Sequence, residues 1–129
     1  MSVYGSVVFG IKADMLDFSD ITKKIGINPT TIYKKGETYN IISRPSELDS
    51  WIYEIEFNDN EDPNLIVQKM LTHMRTSKEN IREISKKSNV AIVCNITSSS
   101  DQIYISFSAD TIKKVSEFNV SLEMSILSF

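Results

Sequence analysis

A chain of 129 residues has room for one domain, which we take as residues 1–129. Its 41% hydrophobic and 24% charged residues are ordinary globular proportions, so a disordered chain is not expected. One His and one Cys exclude a histidine or cysteine metal cage and a disulfide framework, four Gly leave little room for a glycine-rich phosphate loop, and we expect no cofactor. The net charge of −3 argues against nucleic acid as the partner.

The N-terminal residues and the apolar segments argue against a membrane protein. Residues 1–5 have no basic stretch ahead of an apolar run, so a signal peptide is not expected. No apolar run approaches the roughly 18 residues that span a bilayer. Cys94 is the single cysteine, as a reducing compartment allows. We therefore expect a cytoplasmic protein.

The first two elements are a strand and a short helix. Apolar residues alternate over 3–12 and both phases are fairly apolar, which predicts a central strand. A helix over 18–25 follows, with Asp17 as N-cap, Asp20 in its first turn and Gly26 as its left-handed stop.

Two strands are predicted before the next helix. After a loop opened by Pro29, residues 38–43 predict a short strand. Residues 51–57 alternate between apolar side chains and a phase carrying Glu54 and Glu56, as in a sheet with one face in water.

The second half begins with a long helix. Asp62-Pro63 is a strong helix start, and apolar spacing predicts a helix over 63–87 that breaks near Thr76-Ser77. Residues 90–97 and 102–108 then predict a hairpin, joined by a serine-rich turn. Ser108 caps a third helix, and residues 121–129 form the last strand.

The element order predicts the fold class. From Trp51 onward it is strand, helix, strand, strand, helix, strand, the split βαβ order of ferredoxin-like folds. With the N-terminal elements the order is βαββαββαβ-like overall. We expect an α+β domain with a single antiparallel-rich sheet and helices packed on one face.

Acidic residues near the first helix and before the second have structural explanations. Asp17 and Asp20 suit capping and the helix dipole, so a carboxylate or metal site built on them with Asp14 is the weaker interpretation. Asp14 has no obvious local role. The acidic stretch 59–62 lacks the glycine and the final glutamate of a calcium loop, and it reads as a turn leading to an N-cap.

His73 is the only side chain suited to acid–base chemistry near neutral pH. No nucleophile is tied to it by spacing, so a half-buried histidine on the helix is the favoured interpretation. Lys78, Arg82 and Lys86 form a basic stripe on the same helix without aromatic neighbours. A solvated face is favoured there, with docking of an acidic partner as the alternative.

Arg44 and Trp51 flank a polar loop and are the more interesting pair, because Trp and Arg often anchor interfaces. The favoured alternative is that Trp51 packs beneath that loop. Asp14, Arg44, Trp51, His73, Lys78 and Arg82 are therefore the candidate interaction residues, and no catalytic or metal-binding set is predicted.

Several short motifs resemble one family along nearly the whole chain. They are Ala13-Asp14, Leu16-Asp17-Phe18, Ile21-Thr22, Ile25-Gly26-Ile27-Asn28-Pro29-Thr30, Lys35-Gly36 and Trp51, followed by 108–112, Phe118 and 120–129. These residues resemble the domain-of-unknown-function family 4279. The resemblance implies a small bacterial cytosolic protein and a fold, but no mechanism.

We expect a non-enzymatic protein-interaction domain, for example an immunity protein that neutralises a bacterial toxin. The motivation is a small acidic domain without a catalytic set. The alternative is a small-molecule binding or sensing module on the sheet face or at the Arg44–Trp51 loop. An enzyme is the weakest hypothesis, since it needs His73, Asp14 and Arg44 to converge. Monomer and homodimer both stay open.

Overall fold

A computed structural model describes residues 3–38, 45–58, 61–99 and 102–128. Its strands are β1 (Val3–Ala13), β2 (Thr31–Tyr33), β3 (Asp49–Phe57), β4 (Asn89–Ser98) and β5 (Ser121–Ser128). Its α-helices are α1 (Phe18–Ile25), α2 (Pro63–His73), α3 (Lys78–Ser85) and α4 (Ala109–Glu117), with a 3-10 turn over Arg75–Ser77. The α+β class is confirmed. None of the helices within the described residues is long and apolar enough to cross a membrane.

The strands form a mixed five-stranded sheet in the order β2-β3-β1-β4-β5. β1 pairs antiparallel with both β3 and β4, and β2 pairs antiparallel with β3. β4 and β5 are parallel. The central position predicted for the first strand is confirmed.

One face of the sheet carries the hydrophobic core. Its strand residues are Val7, Phe9, Ile11, Trp51, Phe57, Val90, Ile92, Cys94 and Ile96. The helices cover this face with Ile21, Ile25, Ile66, Val67, Met70, Leu71, Ile81 and Val115. Burial of these apolar stripes provides the main stabilisation of the fold.

The predicted N-caps and the predicted stop at Gly26 are confirmed because capping is a local interaction, whereas α3 ends at Ser85, before the predicted residue 87. Asp17 accepts the backbone N–H of Asp20, and Gly26 ends α1 in the left-handed region at φ 79°. The side chain of Asp62 caps α2 ahead of the proline, and Ser108 caps α4.

The predicted break in the long helix is also confirmed, and packing against α1 explains it. The hydroxyl of buried Ser77, at the end of the 3-10 turn, donates a hydrogen bond to the Ile25 carbonyl. Asn80 Nδ2 donates to the Lys24 carbonyl at 2.9 Å. The start of α3 therefore satisfies carbonyls that the C-terminus of α1 leaves free.

The predicted hairpin is wrong, and with it the ferredoxin-like order. Residues 102–108 form no strand. Both edges of β4 are already occupied, one by β1 and the other by β5, so no edge remains for a hairpin partner. The segment still alternates between exposed and partly buried positions, because Ile105 and Phe107 pack against the core. Its alternation reflects this packing.

The strand predicted over 38–43 lies almost wholly outside the described residues. Thr38 itself forms an isolated bridge with Pro45. The strand that the structure shows in this region is β2, in the segment interpreted as a loop.

Candidate interaction surface

The second face of the sheet, which we call the open face, carries no helix in the ranges that the structure describes. Strand register places these side chains on it: Ser6, Val8, Gly10, Lys12, Ser50, Ile52, Glu54, Glu56, Asn89, Ala91, Val93, Asn95, Ser121, Glu123 and Ser125. Because no described helix covers this face, its apolar residues Val8, Ile52 and Val93 are partly exposed.

A depression of about 310 Å³ lies in the middle of the open face. It is centred on the small residues Gly10 and Ala91, which are paired across β1 and β4. Val8, Ile52 and Val93 supply its apolar sides. The depression exists because two small residues meet at the centre of the sheet, surrounded by larger apolar ones.

Polar side chains surround this depression. Lys12, Asn89, Asn95 and Glu123 line its rim. Glu54 lies on the same face, directly opposite Val8 in the sheet register. An apolar centre with a polar rim is the arrangement that protein interfaces use.

The backbone conformation at position 10 does not require a glycine. Its φ is not positive, and a Cβ built on it would approach only Ile52 Cδ1, at 3.5 Å, which is an ordinary contact. Gly5 on the same strand is different, because a Cβ there would lie 1.8 Å from the Asn95 carbonyl oxygen. The close packing of strands explains Gly5, whereas nothing in the backbone explains Gly10.

Asp14 takes part in a polar cluster that joins two loops. Its carboxylate forms an ion pair with Lys35 Nζ, and this pairing raises the pKa of Lys35. Asp49 accepts the backbone N–H groups of Lys35 and Leu16 at 2.7 and 2.9 Å. These two hydrogen bonds hold the pKa of the Asp49 carboxyl below its ordinary value. The cluster connects the ends of β1, β2 and β3.

Trp51 is a core residue with 0% exposure. Its ring meets Phe9 edge to face, with centroids 6.1 Å apart, and its Nε1 donates to Thr22 Oγ1 at 3.0 Å. The structure therefore places Trp51 in the core, packed against β1 and α1. Arg44, its proposed companion, lies outside the described residues.

His73 lies at the exposed C-terminal end of α2. Its Nδ1 is 2.7 Å from the hydroxyl of Tyr53. Burial raises the pKa of that phenol. The expectation of a half-buried histidine is wrong, because the His73 side chain is exposed. Asp14 and His73 engage different partners, in separate parts of the fold.

Lys78 and Arg82 bind the C-terminal end of α4. Lys78 Nζ forms an ion pair with Glu117 at 3.0 Å and lies 5.8 Å from the centre of the Phe118 ring. Arg82 Nη1 donates to the Glu117 carbonyl at 2.7 Å. These cations satisfy a helix C-terminus and its negative dipole, and Lys78 lowers the pKa of the Glu117 carboxyl.

Cys94 is buried and carries the one thiol of the chain. Burial raises the pKa of the Cys94 thiol to about 11, which makes it unreactive. Within the residues that the structure describes, no three His, Cys, Asp or Glu side chains are grouped closely enough to hold a metal.

None of the five predicted candidates that can be placed lies on the open face. The candidates selected from the sequence are charged residues, a tryptophan and a histidine, whereas the open face consists largely of Ser, Gly, Ala, Val and Asn residues. The available signal was the second apolar phase of β1, which contains Val8 and Gly10. An apolar phase in a strand does not reveal whether a helix covers it.

The motif residues quoted from the first half of the chain stabilise the fold. Asp17 and Gly26 end a helix, Lys35 and Asp14 join two loops, and Trp51 fills the core. No curated protein and no solved structure matches the chain. The model of a family described as a domain of unknown function, DUF4279, matches residues 2–128. The chain therefore belongs to the DUF4279 family.

Proposed function

We propose that this chain is a non-enzymatic protein-interaction domain that binds a partner protein on its open face. The observation that carries the proposal is Gly10, a glycine that its backbone does not need and whose missing side chain creates the depression. Replacing such a glycine generally stabilises a strand, and a partner side chain that occupies the space would account for its presence.

The chemistry of the face indicates the kind of partner. Glu54, Glu56 and Glu123 outnumber Lys12 on the open face, which gives it an acidic character. A complementary surface is basic and presents one protruding apolar side chain for the depression. Opposite charges on the two surfaces would accelerate their association and select against acidic partners.

The experiment is site-specific crosslinking in the cells that make this protein. A photoreactive amino acid replaces Asn95, an exposed residue on the rim, or Met15, which is 84% exposed and lies outside the open face. We expect one protein to be attached at position 95 and not at position 15. Gly10→Val, which fills the depression, should reduce the yield at position 95 at least tenfold.

Two results would overturn the proposal. One is the absence of any adduct specific to position 95. The other is an adduct at position 95 whose yield Gly10→Val leaves unchanged in a variant with a normal melting temperature.

The specific form of this proposal is an immunity protein that neutralises a bacterial toxin. It is supported by the small size and the acidic net charge of the domain. Expression of the crosslinked partner alone should then arrest growth, and co-expression with this chain should restore it. Growth that is unaffected by the partner would reject the toxin role while leaving the interaction in place.

Small-molecule binding is the second candidate, and the depression itself favours it. Its volume of about 310 Å³ lies at the lower end of the range of ligand sites, roughly 300–1,000 Å³. A thermal-shift screen of metabolites tests it, because a ligand at a hundred times its Kd stabilises a protein by about 2.7 kcal/mol. A shift that Gly10→Val abolishes would support this candidate over a protein partner.

We also propose the cytoplasm as the location. The support is the lone buried thiol of Cys94, which a reducing compartment tolerates. Fractionation of the natural host with an antibody to the chain would place it.

A further inference from the structure

β5 is an edge strand with no recognisable protection. It pairs with β4 on one side, and within the described residues no element lies on its other side. Natural edge strands usually carry lysines, prolines or bulges that prevent pairing with other chains. Residues 121–127 contain no lysine and no proline, and Glu123 is their only charged residue. Backbone N–H and C=O groups along this edge are therefore available to another strand.

The same strand exposes apolar side chains. Met124 is 44% exposed, Ile126 51% and Leu127 63%. α4 packs beside β5, and exposed Ile112 lines a groove of about 360 Å³ there together with Val120. The edge thus combines free backbone groups with an apolar surface that continues onto the helix layer.

We propose that β5 pairs antiparallel with β5 of a second copy of this chain, about a two-fold axis through Met124. The sequence around Met124 is self-complementary in this register. Met124 meets its own counterpart, and Leu122 lies opposite Ile126 of the second copy on the face that carries the core. On the open face, Glu123 lies opposite Ser125 of the second copy. The acidic side chain therefore meets a hydroxyl that can donate to it.

Neighbouring registers are unfavourable. An axis through Glu123 places two glutamates directly opposite each other, which destabilises a sheet. An axis through Ser125 places Glu123 opposite Leu127 of the second copy. Registers displaced by an odd number of residues put core-side and open-side side chains in the same pair. Met124 is the position that avoids all three conflicts.

The pairing joins two five-stranded sheets into one of ten strands, and the two open faces become continuous. The contact is one strand long and smaller than the standard interface of roughly 1,600 Å², so we expect a Kd on the order of 10–100 µM. The proposed dimer is held by the β5 edge, whereas the partner is proposed to occupy the depression at the centre of the open face, and Glu123 borders both.

Sedimentation equilibrium from about 5 to about 500 µM tests the proposal, since this range brackets the expected Kd. We expect the natural chain to dimerise and Met124→Lys to weaken the dimer at least tenfold, because two ammonium groups would meet at the axis. Met15→Lys is the matched control, with the same substitution at an exposed methionine. It should leave the dimer unchanged, and both variants should keep the natural melting temperature.

Two further variants test the register. Ser125→Lys should tighten the dimer, because it places a cation opposite Glu123 of the second copy. Met124→Cys should form a disulfide-linked dimer on mild oxidation, since directly opposed residues have Cβ atoms about 4.5–5.5 Å apart, close to disulfide geometry. Met15→Cys should not do so.

A chain that stays monomeric at the highest concentration overturns the proposal and leaves the β5 edge to a strand of a different protein. Equal weakening by Met15→Lys and Met124→Lys also overturns it. The proposed register is contradicted if the chain dimerises but Ser125→Lys does not tighten the dimer. It is also contradicted if Met124→Cys does not crosslink more readily than Met15→Cys.

Discussion

Replacing Gly10 by alanine is expected to leave the fold intact and to raise its stability. The new Cβ meets only the flexible end of Ile52, at 3.5 Å. Glycine in the interior of a strand costs roughly 0.5–1 kcal/mol relative to alanine. Gly10→Ala should therefore increase the free energy of unfolding by up to about 1 kcal/mol, which raises the melting temperature of a domain of this size by roughly 3–5 °C.

Gly5→Ala is the matched comparison on the same strand. Its Cβ would lie 1.8 Å from the Asn95 carbonyl oxygen, so β1 and β4 have to separate locally. We expect a loss of about 2 kcal/mol or more, because backbone atoms cannot move aside as a side-chain end can.

Urea denaturation of both variants and the natural chain measures these differences. The reasoning is refuted if Gly10→Ala destabilises the protein as much as Gly5→Ala does. In that case the backbone would need the glycine, and the depression would be a by-product of the fold.

Three further predictions concern individual contacts. Ser77→Ala leaves the Ile25 carbonyl without its donor at the end of α1 and should lower the free energy of unfolding by about 1–3 kcal/mol, measured in urea. The lowered pKa of Asp49 means that its stabilisation is complete well above the ordinary value of 3.8 and is lost as the pH falls through the folded-state value. The difference in stability between the natural chain and Asp49→Asn should therefore shrink as the pH is lowered from about 6 to about 2. Cys94, whose pKa is raised to about 11, should react with a thiol reagent at about pH 8 at least roughly a hundredfold more slowly in the native protein than in denaturant.

A specific result would contradict each of these three predictions. Ser116→Ala, at an exposed position of α4, is the control for Ser77, and equal effects of the two would reject the capping role. A constant difference between the natural chain and Asp49→Asn across the pH range would mean that the carboxylate charge does not stabilise the loops. Native Cys94 that reacts as fast as the denatured thiol would contradict its burial.

Local features of this fold could be predicted because their causes lie within a few residues. Asp17, Gly26 and Ser108 act on backbone groups three or four positions away, and the sequence contains both partners. The pairing of β4 could not be predicted in this way. Whether it accepts residues 102–108 or β5 depends on which edges other strands occupy, and that is decided across the whole sheet.

The candidate surface was missed for a similar reason. Gly5 and Gly10 look alike in the sequence, yet one permits close strand contact and the other leaves a depression, because their neighbours across the sheet differ. Lys78 and Arg82 looked like a free basic stripe, but their partner Glu117 is contributed by a helix distant in sequence. Burial and pairing of these residues depend on tertiary contacts.

The most direct test of the account is the affinity of the crosslinked partner, once purified, for the natural chain and for Gly10→Val. Isothermal titration calorimetry measures both constants, and the melting temperature of the variant shows that it is folded. We predict that Gly10→Val binds at least tenfold more weakly, a loss of about 1.4 kcal/mol in binding free energy. Equal affinities for the two proteins would contradict it.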